Sequence, residues 1–230
     1  MSNVSLTKLD HLVVIAQTLR DGVEYVSDSL RAAPVLLQKV EGVGNDAVGA
    51  RLPLWNGLSI DVMAVSRDAA EEETVTFPRP YGLDSTETRM RAAHGPFLAH
   101  WVARVERPRH LKRWADQYPR RLGIIRDMQH ARRAAHATLD ASGAFPAWRG
   151  AGDGLLPTLI QWNDAHHPPA SFPESGIALK ALRGFHPSPE LISEQLRWLG
   201  LETILTVEPT LVEPSMFAEF ETPSGIRTLK

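Results

Sequence analysis

Four polar residues stand in otherwise apolar runs, where a strand would place them among buried side chains. Imidazole, carboxylate and amide oxygen are groups that Zn²⁺, Mn²⁺, Ni²⁺ or Fe²⁺ accept as ligands, so these residues are candidates for a divalent metal site. A histidine in an apolar strand can equally be a core residue whose ring nitrogens are satisfied by hydrogen bonds. The four residues and their runs are His11 (LDHLVVIA, 9–16), Asp61 (LSIDVMAV, 58–65), His100 (FLAHWVARV, 97–105) and Gln161 (LLPTLIQW, 155–162).

Strand alternation predicts which neighbours share a face with each candidate. Successive side chains of a strand point to opposite faces, so His11 shares its face with Val13 and Ile15. By the same rule, Trp101 and Trp162 point away from the candidates next to them and are expected to pack in the core. Each of the four strands thus presents one metal-competent group on its candidate face.

The order of the predicted elements repeats along the chain. Residues 6–66 predict a β-α-β-β-β unit, with a helix over 18–30 that Thr18 caps, and residues 96–164 predict a second such unit. A shift of 89 residues places His11 over His100, and a shift of 100 places Asp61 over Gln161. A tandem duplication with inserted loop residues explains both offsets. The proline-bearing stretch 66–96 is predicted to be a connection between the units.

A third strand and helix follow the two units. GIALKAL (176–182) predicts a strand, SPELISEQLRWLGL (188–201) a helix, and residues 216–230 a hairpin about Pro223-Ser224-Gly225. We expect residues 171–230 to be an extension that packs on the domain formed by residues 1–170, where it completes a sheet or covers an edge.

The paired units, opened by LDHLVV, resemble the vicinal oxygen chelate superfamily and its glyoxalase-like subset. GVGN (42–45) resembles the Gly-Thr-x-Asn turn of that subset, with Val43 in place of Thr. LPTLIQW followed by HHP (166–168) resembles its Pro-aromatic-aromatic-Ile-x-Trp and His-Pro stretch. The resemblance implies an α+β fold in which paired βαβββ modules form a curled, cup-shaped mixed sheet.

The resemblance also implies roles for particular residues. Metal ligands in this superfamily come from the first and last strand of each module, which are His11, Asp61, His100 and Gln161 in this chain. Asn45 and His167 are then candidates for substrate contacts, although both also suit turns. Gln161 replaces a carboxylate that is often found at its position, and the resemblance identifies no catalytic base.

Composition excludes several other classes of protein. The net charge of −2 gives no electrostatic footprint for nucleic acid, and no window reaches the ~18 consecutive apolar residues of a membrane helix. There is no cysteine, so thiolate metal sites are impossible. We expect a cytoplasmic protein with a small-molecule ligand, and a homodimer is compatible with the sequence.

Two functions remain open from the sequence. The protein either binds a small oxygen-rich molecule in the cup with metal-dependent lyase, isomerase or dioxygenase chemistry, or it binds or sequesters a small molecule without metal or turnover. In the first case the metal acts as a Lewis acid on neighbouring oxygens. The metal content of the purified protein distinguishes the two.

Overall fold

Two β-sheets and five helices make up the computed structural model, which describes residues 6–37, 49–65, 78–130, 133–163 and 175–230. The first β-α-β-β-β module is present as predicted. Its helix begins after Thr18, whose hydroxyl accepts a hydrogen bond from the amide of Asp21. In chain order the module contains β1 (Thr7–Ala16), α1 (Leu19–Leu30), β2 (Val35–Leu36), β3 (Gly49–Pro53) and β4 (Ser59–Ala64).

The second module repeats this order, with the helical part split in two. Pro119 starts a separate short helix, because a proline is favoured at the first helical position and cannot continue the preceding one. The module contains β5 (Phe97–Val105), α3 (Leu111–Gln117), α4 (Pro119–Leu122), β6 (Ile124–His130), β7 (Arg133–Leu139) and β8 (Thr158–Trp162).

The two modules share one eight-stranded mixed sheet with the order β2-β3-β4-β1-β5-β8-β7-β6. Within each module the first and last strands are parallel, and the two first strands, β1 and β5, pair antiparallel at the centre. The prediction of an α+β fold built from paired βαβββ modules is therefore confirmed. The arrangement places the first and last strands of both modules side by side in the middle of the sheet.

The two faces of this sheet bury different residues. We call the face that carries His11, Val13 and Ile15 the cup face, and the face that carries Leu12 and Val14 the back face. An apolar cluster lies on each of them. Because β1 and β5 are covered on both faces, they contain nearly continuous apolar runs.

A second, four-stranded sheet covers the back face. Its order is β10-β9-β11-β12, and the same apolar cluster contains Trp101 of β5 and Phe220 of this sheet. The extension thus forms a sheet of its own on a face of the first one, and within the described residues it adds no strand to that sheet. Its elements are β9 (Ala178–His186), α5 (Pro189–Leu199), β10 (Thr206–Pro209), β11 (Ser215–Thr222) and β12 (Gly225–Leu229).

The described end of the connection between the modules contains a helix that the sequence analysis missed, α2 (Thr86–His94). This segment covers the cup face, where Tyr81, Leu83 and Ala92 belong to its apolar cluster. Arg79 holds the segment to the end of β4 through hydrogen bonds to the carbonyl oxygens of Ala64 and Val65. In the part of the chain that the structure describes, no helix is both long and apolar enough to cross a membrane.

Candidate functional site

The histidine of β1 is held by its own neighbour in the sequence. β1 pairs with β5 through Leu9 opposite Ala103 and His11 opposite Val102, so Asp10 is the extra residue of a β-bulge. At this irregularity the Asp10 carboxylate reaches the ring of His11, with 2.7 Å between Oδ1 and Nδ1. Its other oxygen accepts a hydrogen bond from the indole of Trp162, at 3.0 Å.

This contact fixes the orientation of the imidazole and the tautomer of its neutral form. Nδ1–H donates to the Asp10 carboxylate, so the lone pair of the neutral ring lies on Nε2. Within the described part of the chain, Nε2 of His11 makes no hydrogen bond, and its nearest acidic atom is Oδ2 of Asp61 at 4.0 Å. His11 is therefore oriented and largely buried, and its Nε2 can accept a hydrogen bond.

Asp61 is engaged by an arginine on the neighbouring strand. Arg51 of β3 lies opposite Asp61 of β4 in the antiparallel register. Its Nε donates to Oδ1 at 2.7 Å and its Nη2 to Oδ2 at 2.5 Å, which is the bidentate geometry of an arginine–carboxylate pair. Ser59 donates a further hydrogen bond to Oδ1.

The Arg51–Asp61 pair is deeply buried, with 2% and 5% of the two residues exposed. Burial alone lowers the pKa of Arg51, but the adjacent carboxylate of Asp61 outweighs it and leaves the pKa of Arg51 raised. The guanidinium is thus permanently charged. It is a fixed cation beside the carboxylate.

His100 occupies the position on β5 that corresponds to His11 on β1. Val13 lies opposite His100 and His11 lies opposite Val102, so the two histidines are related by a pseudo-twofold axis through the pair of Leu12 and Trp101. Both histidines face the cup. The strand pairing therefore gives the same shift of 89 residues between the two histidines as the sequence comparison.

The ring of His100 is satisfied by hydrogen bonds at both nitrogens. Nδ1–H donates to the carbonyl oxygen of Gly154 at 3.0 Å, and Nε2 accepts from the amide of Thr158 at 3.2 Å, with the Thr158 hydroxyl also at 3.0 Å. Complete burial lowers the pKa of His100 to about 3, so the ring is neutral at physiological pH. Gly154 has φ +87°, and a side chain there would collide with the carbonyl oxygen of Ala99.

Two aromatic side chains cover His100 on the cup face. Tyr81 and Phe145 each place their ring centroid 5.2 Å from that of the imidazole. Burial raises the pKa of Tyr81, and the nearby carboxylates of Asp61 and Asp10 raise it further, so its hydroxyl stays protonated. Tyr81 therefore brings a hydrogen-bond donor to the same region as His11.

Gln161 is the predicted residue that the structure separates from the other three. Its oxygen accepts from the amide of Leu111 at the start of α3, and its nitrogen donates to the carbonyl oxygens of Val105 and Arg109. Its neighbour Leu159 belongs to the back-face cluster. Gln161 thus ties a helix start to the back face and does not point into the cup.

The register explains why the sequence offset of 100 misplaces this position. Val13 pairs with Asp61 in the first module, and its counterpart Val102 pairs with Thr158 in the second. The structural counterpart of Asp61 is therefore Thr158, which corresponds to a shift of 97 residues. Trp101 packs on the back face, as predicted. Trp162 also points away from Gln161 and packs against an apolar cluster, but on the cup face, where its indole donates to Asp10.

The two predicted substrate-contact residues cannot be placed in this site. Asn45 and His167 lie outside the described residues. Their roles therefore stay predictions.

The donor set does not fit the divalent metal that the fold family implies. Both nitrogens of His100 are engaged, Gln161 is on the back face, and the carboxylate of Asp61 already holds a guanidinium. Across residues 6–37, 49–65, 78–130, 133–163 and 175–230, no three His, Asp or Glu side chains converge as a metal site. Of the four candidates, His11 and Asp61 lie near each other, with 4.0 Å between Nε2 and Oδ2.

A cavity of about 200 Å³ lies elsewhere in the molecule. It is bordered by α4, β7 and α5 and shares no residue with the group around His11. The amide oxygen of Gln195, which borders it, is buried without a hydrogen bond.

Fold and strand pairing together define a protein of the vicinal oxygen chelate architecture. A family model described as "Glyoxalase-like domain" matches residues 9–200, so the chain belongs to this family. No curated protein matches the chain in sequence. The homodimer and the cytoplasmic location remain predictions.

Three solved structures are similar to this chain at low sequence identity. A hypothetical protein from Staphylococcus aureus is 10% identical, with 91% of this chain and 88% of that chain covered and a TM-score of 0.56. Methylmalonyl-CoA epimerase from Mycobacterium tuberculosis is 17% identical over 74% of this chain and 97% of that chain, with a TM-score of 0.39. A variant of 4-hydroxymandelate synthase from Streptomyces coelicolor is 15% identical over 70% and 49%, with a TM-score of 0.34. The last two superpositions are too loose to carry a functional argument.

Sequence reasoning missed several residues of the site, namely Asp10, Arg51, Tyr81, Thr158 and Trp162. Arg51 had a readable signal: a single arginine in the apolar run AVGARLPL, one short turn away from Asp61. A hairpin register closed about Trp55-Asn56-Gly57 places these two residues opposite each other. Asp10 had no such signal, because only the bulge brings its side chain to His11.

Proposed function

We propose that the protein binds a small oxygen-rich molecule in the cup and that Nε2 of His11 is the group that contacts it. The observation that carries this proposal is the Asp10–His11 pair, which leaves Nε2 oriented, largely buried and without a hydrogen bond from any residue that the structure describes. A hydroxyl of the ligand would donate to Nε2. Tyr81, whose hydroxyl stays protonated, would donate to a second ligand oxygen.

The same geometry suits proton transfer. A carboxylate that holds Nδ1–H fixes the tautomer and stabilises the imidazolium that forms when Nε2 takes a proton. In a molecule with a hydroxyl beside a carbonyl, the proton on the hydroxyl-bearing carbon is weakly acidic, and a hydrogen bond from Tyr81 to the carbonyl oxygen would stabilise the enediolate that forms when a base removes it. His11 would remove this proton, and the electron pair would move to the carbonyl oxygen to give an enediol or enediolate. This is the lyase or isomerase class of chemistry.

Sequestration without turnover is the second candidate. It is favoured by the engagement of the other polar groups, because His100 is fully hydrogen-bonded and Asp61 is paired with Arg51. Binding needs only the acceptor on His11. Turnover also needs a group that returns the proton.

Hydroxyacetone is a suitable probe for both candidates. We expect its addition to shift the ¹⁵N resonance of Nε2 of His11, and we expect the His11→Gln variant to lose binding by at least about tenfold, as for the loss of one hydrogen bond to a charged or strongly polar group. His136→Gln is the matched control, because His136 also pairs with an aspartate at 2.7 Å but on an exposed part of the sheet.

Proton transfer is tested with the same probe in D₂O. An enzyme would exchange the carbon-bound protons of hydroxyacetone for deuterium, and His11→Gln would abolish the exchange. Binding without exchange would favour sequestration. Wild-type protein that binds neither hydroxyacetone nor other small hydroxycarbonyl compounds at His11 would contradict the proposal.

A further inference from the structure

The buried arginine of the cup binds the carboxylate that a metal ion would need as a ligand. Asp61 is the carboxylate that the family resemblance makes a metal ligand. In the structure, both of its oxygens accept hydrogen bonds from Arg51, at 2.7 and 2.5 Å. A Zn²⁺–carboxylate bond is about 2.0–2.2 Å long, so an ion and the guanidinium cannot occupy the same side of Asp61 together.

The register makes this pairing a property of the fold. Arg51 and Asp61 are directly opposite each other on adjacent antiparallel strands, and both residues are buried. Side chains directly opposite each other in a sheet are held close by the backbone. Removal of the guanidinium would leave a buried carboxylate without its cation, which is strongly unfavourable.

The second module has lost its half of a metal site in a different way. Its counterpart of Asp61 is Thr158, whose amide and hydroxyl both face Nε2 of His100. Threonine supplies no negative charge there. A hydrogen-bonded neutral imidazole and a hydroxyl therefore take the place of two metal ligands.

We propose that Arg51 is an internal cation that replaces the divalent metal of this site, so that the cup is assembled without a metal. Arg51 neutralises Asp61 and fixes its orientation, which a bound ion does where one is present. This inference goes beyond the function proposed above and does not depend on which molecule binds at His11.

The test is a titration of the full-length protein with Zn²⁺ by isothermal calorimetry. Wild-type protein is expected to show no one-to-one Zn²⁺ binding that depends on His11. Arg51→Met removes the cation but keeps an unbranched apolar side chain, and it is expected to bind Zn²⁺ at least about tenfold more tightly than the wild type. Arg51→Lys keeps a positive charge and is expected to behave like the wild type.

Two double variants assign the gain to this site. Arg51→Met with Asp61→Asn, and Arg51→Met with His11→Gln, are each expected to return Zn²⁺ affinity to the wild-type value. Surface histidines bind Zn²⁺ equally in all variants, so only the differences count.

Two results would overturn the proposal. The first is one equivalent of Zn²⁺ bound to the wild-type protein that the His11→Gln variant does not bind. This result can be read even if Arg51→Met does not fold. The second is a folded Arg51→Met variant with unchanged Zn²⁺ affinity. The hydroxyacetone experiments are read separately, so a failure of either proposal leaves the other intact.

Discussion

The two histidines of the cup are related by symmetry but differ in what holds them. His11 is held at one nitrogen by a carboxylate, and His100 is held at both nitrogens by neutral groups of Gly154 and Thr158. A carboxylate tolerates a protonated imidazole, whereas a backbone amide that donates to Nε2 excludes one. His11 is therefore suited to chemistry and His100 to the core.

This difference predicts a pH dependence of stability. Unfolded His100 takes up a proton near pH 6.5, whereas the buried ring has its pKa lowered to about 3. Between these values the unfolded chain binds more protons, so the contribution of His100 to stability is complete above pH 6.5 and is lost as the pH falls. We expect a loss of about 1.4 kcal/mol per pH unit in this window from this one residue.

Denaturant unfolding at a series of pH values between 6.5 and 5 measures this slope. The His100→Gln variant removes the titrating ring, and its slope should be smaller than that of the wild type by close to one proton. Equal slopes would show that the ring is protonated in the folded protein.

The residues around His11 and His100 could be predicted from the sequence only in part. The sequence predicts His11, Asp61 and His100 on one face because alternation and the repeat require it. It could not predict that a bulge turns Asp10 to the same side, since no residue type in LDHLVV specifies an irregular pairing with β5. It could not distinguish the two histidines either, because Gly154 and Thr158 are brought to His100 from over 50 residues away.

At the scale of elements, the second module holds its helix with a glutamine of β8. Three hydrogen bonds connect Gln161 to the end of β5 and the start of α3. The start of a helix has free amide groups that need acceptors, and the Gln161 oxygen supplies one for Leu111. This accounts for a buried amide in an apolar strand without a metal.

We predict that Gln161→Leu destabilises the protein by about 3 kcal/mol, because the change removes the Gln161 hydrogen bonds of two buried backbone groups and one partly buried one. Gln195→Leu is the matched control. Gln195 is also a buried glutamine, but it makes one hydrogen bond and its oxygen is already unpaired, so the loss should be much smaller. Urea unfolding of both variants checks this, and equal effects would contradict the role given to Gln161.

The prediction of elements succeeded where apolar periodicity was strong and failed where it was weak. The order of elements in both modules was predicted, and the four strands that carry the candidate residues lie in the apolar runs that predicted them. α2 was missed because it is mostly polar and has no apolar stripe, although Ser85 and Gly95 mark its two ends. The sequence comparison placed β8 three residues off, because it used a shift of 100 residues where the strand pairing gives a shift of 97.

In the described part of the chain, both faces of the eight-stranded sheet are covered by other elements. The second sheet lies on the back face, and contacts at both ends secure it: the hydroxyl of Tyr25 in α1 donates to the backbone of Lys230, and Trp198 of α5 stacks on Trp114 of α3 with ring centroids 5.1 Å apart. The apolar run of β5 is buried in part by this sheet. The modules therefore share their core with the last quarter of the chain.

We predict that a chain ending at residue 174 does not fold cooperatively, because the back face around Trp101 would be exposed to water. Size-exclusion chromatography and calorimetry should show aggregates or no melting transition. Tyr25→Phe in the full chain is the mild counterpart and should cost about 1 kcal/mol for the lost hydrogen bond. A soluble, cooperatively melting fragment would show that the modules are independent of the second sheet.

By this proposal, the Arg51–Asp61 pair takes the place of a metal in the cup, beside an oriented His11. Crystals grown with excess Zn²⁺ and measured at the zinc absorption edge test it most directly. We expect Nε and Nη2 of Arg51 to remain on Asp61 and no anomalous peak to lie within ligand distance, about 2.0–2.2 Å, of His11 and Asp61. An anomalous peak bound by both of these residues, with Arg51 displaced, would contradict it.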